Sequence, residues 1–360
     1  MKNILYLVAT QYDNMGDLLI NKCLVDELAK KGRVYLDTKG VPSNFKNVLL
    51  DNPNVFELKD ISDFSLKGKG LLVLPFRKLD FDYFFKSPGP FGGFKTSKQK
   101  MHAFIFNYIF KVLKWKGIKS FLIGNDYMLE SDFDKKMIKK YNNNLSGIFV
   151  RSKKNESILK DLQITKAAYS PDLCYVLNTK DVNVGNETKR DKVGISFRDL
   201  GKDVNQQIEK SVDIFINYFS EKGIDVEIFY QVERDRDFNK YLFDKYKSEN
   251  TSFRNEVLTW KEKNFYLDKK LVLSNRLHVL LLGQLHNCVP FSLTFNQTNT
   301  NKINNIFDSV NMSDFLYSNI TKNDLEQFEK NELNLIDHIK NVNSTQKECF
   351  QSILHNIFNQ

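Results

Sequence analysis

The segment Ser274-Asn275-Arg276-Leu277-His278 joins an apolar strand pattern over 270–273 to a helix pattern whose body, 279–282, is wholly apolar. A helix that is hydrophobic all round is buried. Arg276 and His278 therefore fall in its first turn, where unpaired N–H groups and the helix dipole attract an anion. An arginine there offers a planar fork for phosphate or carboxylate, and a histidine exchanges a proton near neutral pH. A histidine merely satisfied by the core leaves the neighbouring arginine unexplained. Two more arginines hold the same topological place: Arg151 closes the strand pattern 147–150, and Arg198 closes 192–197. Each alone reads as a surface arginine ending a strand; three together read as an anion site. Asn14-Met15-Gly16-Asp17 occupies the equivalent slot after the first strand. There Gly16 permits a tight turn, and Asp17 reads by position as a helix N-cap, the other reading being a carboxylate open to a cleft. Lys302 follows a strand pattern over 289–295 and a polar loop, begins a short helix, and in isolation reads as an ordinary surface lysine.

The elements that must carry these residues follow a repeating pattern. An apolar strand over 3–9, a helix over 17–31 stopped by Gly32, and a strand over 33–37 form a βαβ unit, which implies a parallel sheet. The series continues with a strand at 71–74, a long helix at 102–115, strands at 120–123 and 147–150, and a short helix to Leu162. A polar stretch over 178–191 without apolar periodicity reads as a linker. The series then restarts: strand 192–197, helix 204–222, strand 224–232, and a last βαβ unit through 270–273, 276–286 and 289–295. The expected fold class is α/β, with two Rossmann-like domains facing each other across a cleft. The boundaries are 1–180 for an N-terminal, acceptor-side domain and 192–341 for a C-terminal, donor-side domain. A helical tail, 342–360 with its helix over 343–358, crosses back onto the first domain. In such sheets ligands gather beyond the carboxyl ends of the strands, where the three arginines lie.

Composition bounds the alternatives. With 360 residues, 41% hydrophobic and 27% charged, the chain suits two domains with real cores, packed largely by its 30 Phe and 15 Tyr. A net charge of +9 and a pI near 9.0 suit polyanions, anionic membrane surfaces or phosphorylated substrates. Nucleic acid fits least, since the charge is dispersed and no finger, arginine-rich or aromatic-interleaved motif is present. Cys23, Cys174, Cys288 and Cys349 are far apart in apolar contexts, which reads as reduced thiols in a reducing compartment and gives no metal-type spacing. The apolar start runs into Gln11, Tyr12, Asp13 and Asn14 rather than a small-residue cleavage site, and no apolar run is long enough to span a bilayer. The expectation is a cytoplasmic protein. The stretch 95–119 holds seven lysines and no acidic residue. It reads as a helix covering a sheet with lysines at its solvent edge, the other reading being peripheral contact with the anionic inner membrane leaflet.

Taken together, these segments resemble the polysaccharide pyruvyl transferase family over roughly 4–310. The run from Val272 through Arg276 and His278 to Pro290, with the Lys302 segment beyond it, carries the resemblance most specifically. Asn14-Met15-Gly16-Asp17, Val150-Arg151-Ser152 with Ser157, Ser170-Pro171-Asp172, the 194–198 strand end and Glu233-Arg234-Asp235 support it. The chain departs from the family where Pro75-Phe76-Arg77-Lys78 follows the 71–74 segment in place of a glycine run, and in Ile123-Gly124-Asn125-Asp126.

The resemblance implies a glycosyltransferase-B-like fold and transfer of the pyruvyl group of phosphoenolpyruvate to a sugar as a ketal. Phosphoenolpyruvate is then the donor substrate, with no separate cofactor and no metal, and the partner is a sugar or lipid-linked oligosaccharide acceptor. It implies that Arg151, Arg276, His278 and Lys302 hold or activate the donor and that Asp17 faces the acceptor. Arg198, Asn14 and Gly16 join the substrate-binding set from their strand-end positions. His278 becomes the general acid/base and Asp17 the acceptor of the attacking hydroxyl's proton. Two other readings stand beside this one. A nucleotide-sugar glycosyltransferase of the same shape would use the Arg/Lys set for a diphosphate, but no carboxylate pair is placed to hold a ribose. A non-catalytic sugar- or anion-binding subunit would not need a titratable acid.

Overall fold

The computed structural model describes residues 1–68, 70–177, 190–295 and 298–359, with the side chains of the last stretch from Lys302 onward. The chain divides into two compact units. The first comprises Met1–Tyr12, Asp17–Val176 and Cys349–Gln360, the second Asp13–Gly16 and Leu177–Glu348.

The first unit opens with β1 (Lys2–Leu7), α1 (Met15–Ala29) and β2 (Gly32–Asp37), then α2 (Ser43–Leu49), β3 (Val55–Glu57) and the single turn α3 (Gly70–Val73). It continues through β4 (Tyr83–Lys86), β5 (Gly89–Gly92), α4 (Ser97–Trp115), β6 (Lys119–Met128), α5 (Asp132–Asn144), β7 (Gly147–Val150), α6 (Lys153–Asp161) and β8 (Ala167–Tyr169). All pairings are parallel, in the order β3-β2-β1-β4-β6-β7-β8, with β5 beside the far end of β6. The winding direction reverses between β1 and β4. Ile4 to Leu7 are buried throughout, as a strand covered on both faces requires. A capping box at Thr96 and Gln99 starts α4.

The expected strand at 71–74 is a correction. Those residues form α3 and the tight turn after it, and only Leu74 among them is buried. Four apolar residues between Gly70 and Pro75 do not distinguish strand from helix. The strand beside β1 is the aromatic-rich β4, whose four residues are all buried.

The second unit runs β9 (Lys192–Ser196), α7 (Lys202–Ser220), β10 (Asp225–Ile228), α8 (Arg236–Tyr246), β11 (Thr251–Phe253), β12 (Lys269–Ser274), α9 (Leu277–Leu285), β13 (Val289–Leu293), α10 (Thr298–Ser309), β14 (Leu316–Tyr317) and α11 (Lys322–Asn359). Its six strands are parallel in the order β11-β10-β9-β12-β13-β14, reversing direction between β9 and β12. Gly283 lets α9 lie close on the sheet, since a Cβ there would meet Val272 at 2.8 Å. The expected strand over 224–232 stops at Ile228. The tail helix is far longer than 343–358, beginning at Lys322. Its residues from Cys349 group with the first unit, where the Phe358 ring lies 4.5 Å from that of Tyr83. Of the expected linker 178–191, residues 178–189 lie outside the described residues.

Candidate active site

In the second unit the decisive place is the reversal between β9 and β12. Two neighbouring strands leave the sheet there, and the helix after β12 starts at the same level. Asn275 fastens the two exits together, its side chain accepting from Arg198 N at 2.7 Å and donating to Arg198 O at 3.0 Å. Asn239, fully buried in α8, makes the matching bonds to Phe197 N, Phe197 O and Asp235 O. The β9 exit and the turn Glu233–Asp235 are thereby held in one piece. Below them the parallel register aligns Ser196, Ser274 and Ser292. All three are buried. Ser274 Oγ donates to Ser196 O at 2.5 Å and accepts from Arg276 N at 2.9 Å. The hydroxyls of Ser196 and Ser292 make no hydrogen bond.

On this frame stand three guanidinium groups and one carboxylate. Arg276, the N-cap of α9, is ion-paired with the buried Asp235. Arg198 and Arg234 act on the same pair electrostatically. Burial raises the pKa of Asp235, although Arg276 and then Arg234 and Arg198 pull it down. Burial lowers the pKa of Arg276, Asp235 opposes this, and the like charges of Arg198 and Arg234 add to the lowering. Three cations thus act on the Asp235 carboxylate, and Arg276 Nε has no hydrogen-bond partner. His278 follows in the first turn of α9, half-buried. The segment 13–16, which groups with this unit, lies against it. Asn14 bridges to Val232, and a Cβ on Gly16 would come within 2.0 Å of His278 Nδ1. Only glycine fits beside that ring. Lys302 is half-buried in the second turn of α10 rather than at its start.

The remaining expected site residues belong to the first unit. Asp17 is not the N-cap of α1. The helix begins at Met15, Asn14 Oδ1 accepts from Gly16 N at 2.9 Å, and the Asp17 carboxylate accepts from Thr10 Oγ1 at 2.9 Å and Gln11 N at 3.2 Å. Arg151, expected to present its fork to an anion, is 1% exposed and engaged by two carboxylates. Its Nε donates to Asp126 at 2.7 Å and its Nη1 to Asp172 at 3.0 Å. Burial would lower its pKa, and the two carboxylates more than reverse this. That guanidinium ties β7 to the end of β6 and to the 170–176 segment.

A family model for polysaccharide pyruvyl transferase matches residues 14–296. The chain belongs to the polysaccharide pyruvyl transferase family. For this family member, none of the curated proteins compared matches in sequence. Solved structures agree in fold at low identity. Anabaena HepE, solved with UDP and glucose, gives a TM-score of 0.58 at 11% identity over 100% of both chains. A putative UDP-N-acetylglucosamine 2-epimerase from Listeria monocytogenes gives 0.57 at 8% identity, covering 94% of this chain and 91% of that one. Acinetobacter baumannii MurG gives 0.52 at 10% identity over 100% of both. This family member thus has two Rossmann-like units of the glycosyltransferase-B-like fold.

Sequence reasoning gave Asp235 and Arg234 only a supporting place, and it missed the Asn239 and Asn275 clamps. A signal for Asp235 was available: a carboxylate placed soon after the strand that neighbours β9. It also passed over Lys86, the last residue of β4, beside the winding reversal of the first sheet. That lysine is buried with no carboxylate in ion-pair range among the described residues, its Nζ lying 5.7 Å from the Phe91 ring centre and 5.2 Å from that of Phe106. Burial pushes its pKa down to about 8. Cys23, Cys174, Cys288 and Cys349 are free thiols, the first three buried. Among the described residues no group of three or more His, Cys, Asp or Glu could hold a metal ion.

Proposed function

We propose that this family member transfers the pyruvyl group of phosphoenolpyruvate to a sugar of a cell-surface polysaccharide precursor, forming a ketal. The observation that carries the reading is the cluster of Arg198, Arg234 and Arg276 around Asp235 at the first turn of α9, with His278 next to it. A trianionic donor supplies the charge such a cluster lacks, and its phosphate and carboxylate both match a guanidinium fork.

Reaction starts with proton transfer from the His278 imidazolium to the methylene carbon of the enol, leaving an oxocarbenium-like centre at the carbon bearing phosphate. A sugar hydroxyl attacks that centre, and Asp17 takes its proton. The carbon–oxygen bond to phosphate breaks, and the Arg276 group stabilises the charge moving to the leaving phosphate. A second hydroxyl closes the ring and its proton leaves with phosphate or returns to His278, so that one ketal and one phosphate form per donor. Lys302 completes the donor clamp. We assign Arg151 the positioning of the β7 end, since it is buried and ion-paired with Asp126 and Asp172. The buried free thiols support a reducing, cytoplasmic setting.

The test incubates the protein with phosphoenolpyruvate and a panel of saccharide acceptors and measures phosphate release, with UDP release from UDP-sugars as the control for glycosyl transfer. Phosphate release that requires both donor and acceptor is expected. UDP release without it would overturn the assignment. His278→Ala is expected to abolish turnover while donor binding, followed by calorimetry, is largely kept; unchanged turnover removes the histidine from the mechanism.

A further inference from the structure

The first unit carries an apolar surface that its own fold leaves largely exposed. Helix α4 buries Ala103, Ile109, Phe110, Val112 and Leu113. Its opposite face would ordinarily be polar. Instead Met101, Phe104, Tyr108 and Trp115 are exposed there, Trp115 at 74%. Their spacing of three, four and seven residues puts them, with Lys111, on one narrow stripe along the helix. A second exposed apolar group abuts its end. Lys116 donates to Pro75 O at 2.9 Å and to Arg77 O at 2.8 Å. This fixes the turn after α3 beside Trp115, and in that segment Leu72 is 77% and Phe76 88% exposed.

The charge around the stripe is mainly positive. From Lys95 to Lys119 there is no acidic residue. Lys98, Lys100, Lys111 and Lys114 are exposed, as are Arg77 and Lys78. Among the described residues of 95–119 only Lys95 makes an ion pair, with Glu130 at 3.3 Å. Lys135, Lys136 and Lys139 on the neighbouring α5 are also exposed. Aromatic rings and a tryptophan on a lysine-rich helix without carboxylates match a bilayer interface, where rings sit at headgroup level and lysine stems reach back to phosphate. A second copy of the same face would bring lysines against lysines, and a nucleic acid would leave Met101 and Leu72 without use.

We propose that the outer stripe of α4, with the 72–77 turn, docks on the surface of an anionic lipid bilayer. Attachment is peripheral, for no helix among the described residues is long and apolar enough to cross a membrane. Each lysine near an anionic leaflet contributes about 1 kcal/mol, which is roughly fivefold in partitioning.

The experiment floats the full chain with vesicles of phosphatidylglycerol and phosphatidylcholine, and with vesicles of phosphatidylcholine alone. Flotation with the anionic vesicles only is expected, falling steeply with salt. Lys98→Gln with Lys111→Gln should weaken it about 25-fold, and Phe76→Ser with Trp115→Ser should abolish it, both without lowering the melting temperature. In the Trp260→Phe background Trp115 emission reports contact directly, shifting to the blue on anionic vesicles and quenched by brominated lipid. Flotation untouched by either pair of substitutions, or an unshifted Trp115 spectrum, overturns the proposal. So does a dimer in sedimentation equilibrium that the same substitutions dissociate, since the stripe then belongs to a second copy.

Discussion

Lys86→Met probes whether the first unit carries an electrostatic cost beside its winding reversal. The lysine is fully enclosed, and burial lowers its pKa from the ordinary 10.5 to about 8. At about 1.4 kcal/mol per pH unit, holding that ammonium charged costs the fold roughly 3 kcal/mol. Contacts with the Phe91 and Phe106 rings offset part of this, about 0.5–1 kcal/mol each. Methionine fills the same space without the charge and loses those ring contacts, so the variant should gain about 1–2 kcal/mol at pH 7. For a unit of this size that raises the melting temperature by roughly 2–8 °C. The pH dependence has a definite sign. Below pH ~8 the amine is protonated folded and unfolded, and the full cost is present. Between about 8 and 10.5 the unfolded chain binds more protons than the folded one, so wild-type stability from this group rises with pH. The gap between variant and wild type should therefore close as pH approaches 10.5. Urea unfolding at a series of pH values measures both quantities. A variant less stable than wild type at pH 7, or a gap that does not change between pH 7 and pH 10, refutes the reasoning.

Asp235→Asn removes the carboxylate paired with Arg276, and breaking such a buried pair should cost about 3 kcal/mol or more. Phosphate, occupying the freed site, should raise the melting temperature of the variant more than that of wild type, as calorimetry with and without phosphate would read. Gly16→Ala places a Cβ where His278 Nδ1 stands, 2.0 Å away. The ring must move, and turnover should fall about 100-fold or more, while the melting temperature changes little. Arg276→Lys keeps the charge but loses the fork, so donor KM should rise about tenfold with a smaller change in kcat, measured by steady-state phosphate release.

Much of the fold was legible because both sheets are parallel and buried on both faces. Strands such as β1 and β9 then read as continuous apolar runs, and the helices between them as 3.6-residue periods. The reading failed where length or context decides. The 71–74 run is apolar yet mostly exposed, and Tyr83–Lys86, which pairs with β1, ends in a lysine that looks like a surface residue. At the site, helix-start logic found Arg276 and His278 because the wholly apolar α9 forces its first turn inward. It misassigned the cap of α1, since Asn14 and Asp17 are both good caps and only the position of Met15 in the helix decides between them.

The three strand-end arginines show what sequence position leaves open. Arg151, Arg198 and Arg276 follow parallel strands in the same way, and each could meet an anion from solvent or one from the chain. What separates them is how many carboxylates the fold delivers. Arg151 receives Asp126 and Asp172, two for one guanidinium, and is closed off with a raised pKa. Arg276 is ion-paired with Asp235 and stands in the field of Arg198 and Arg234; burial first, and then those like charges, lower its pKa. Those carboxylates lie 41 residues from Arg276 and 21 and 25 from Arg151 along the chain, on segments whose register only the folded sheet sets. The balance of cations and carboxylates, rather than the arginine itself, is why the donor site is proposed in the second unit.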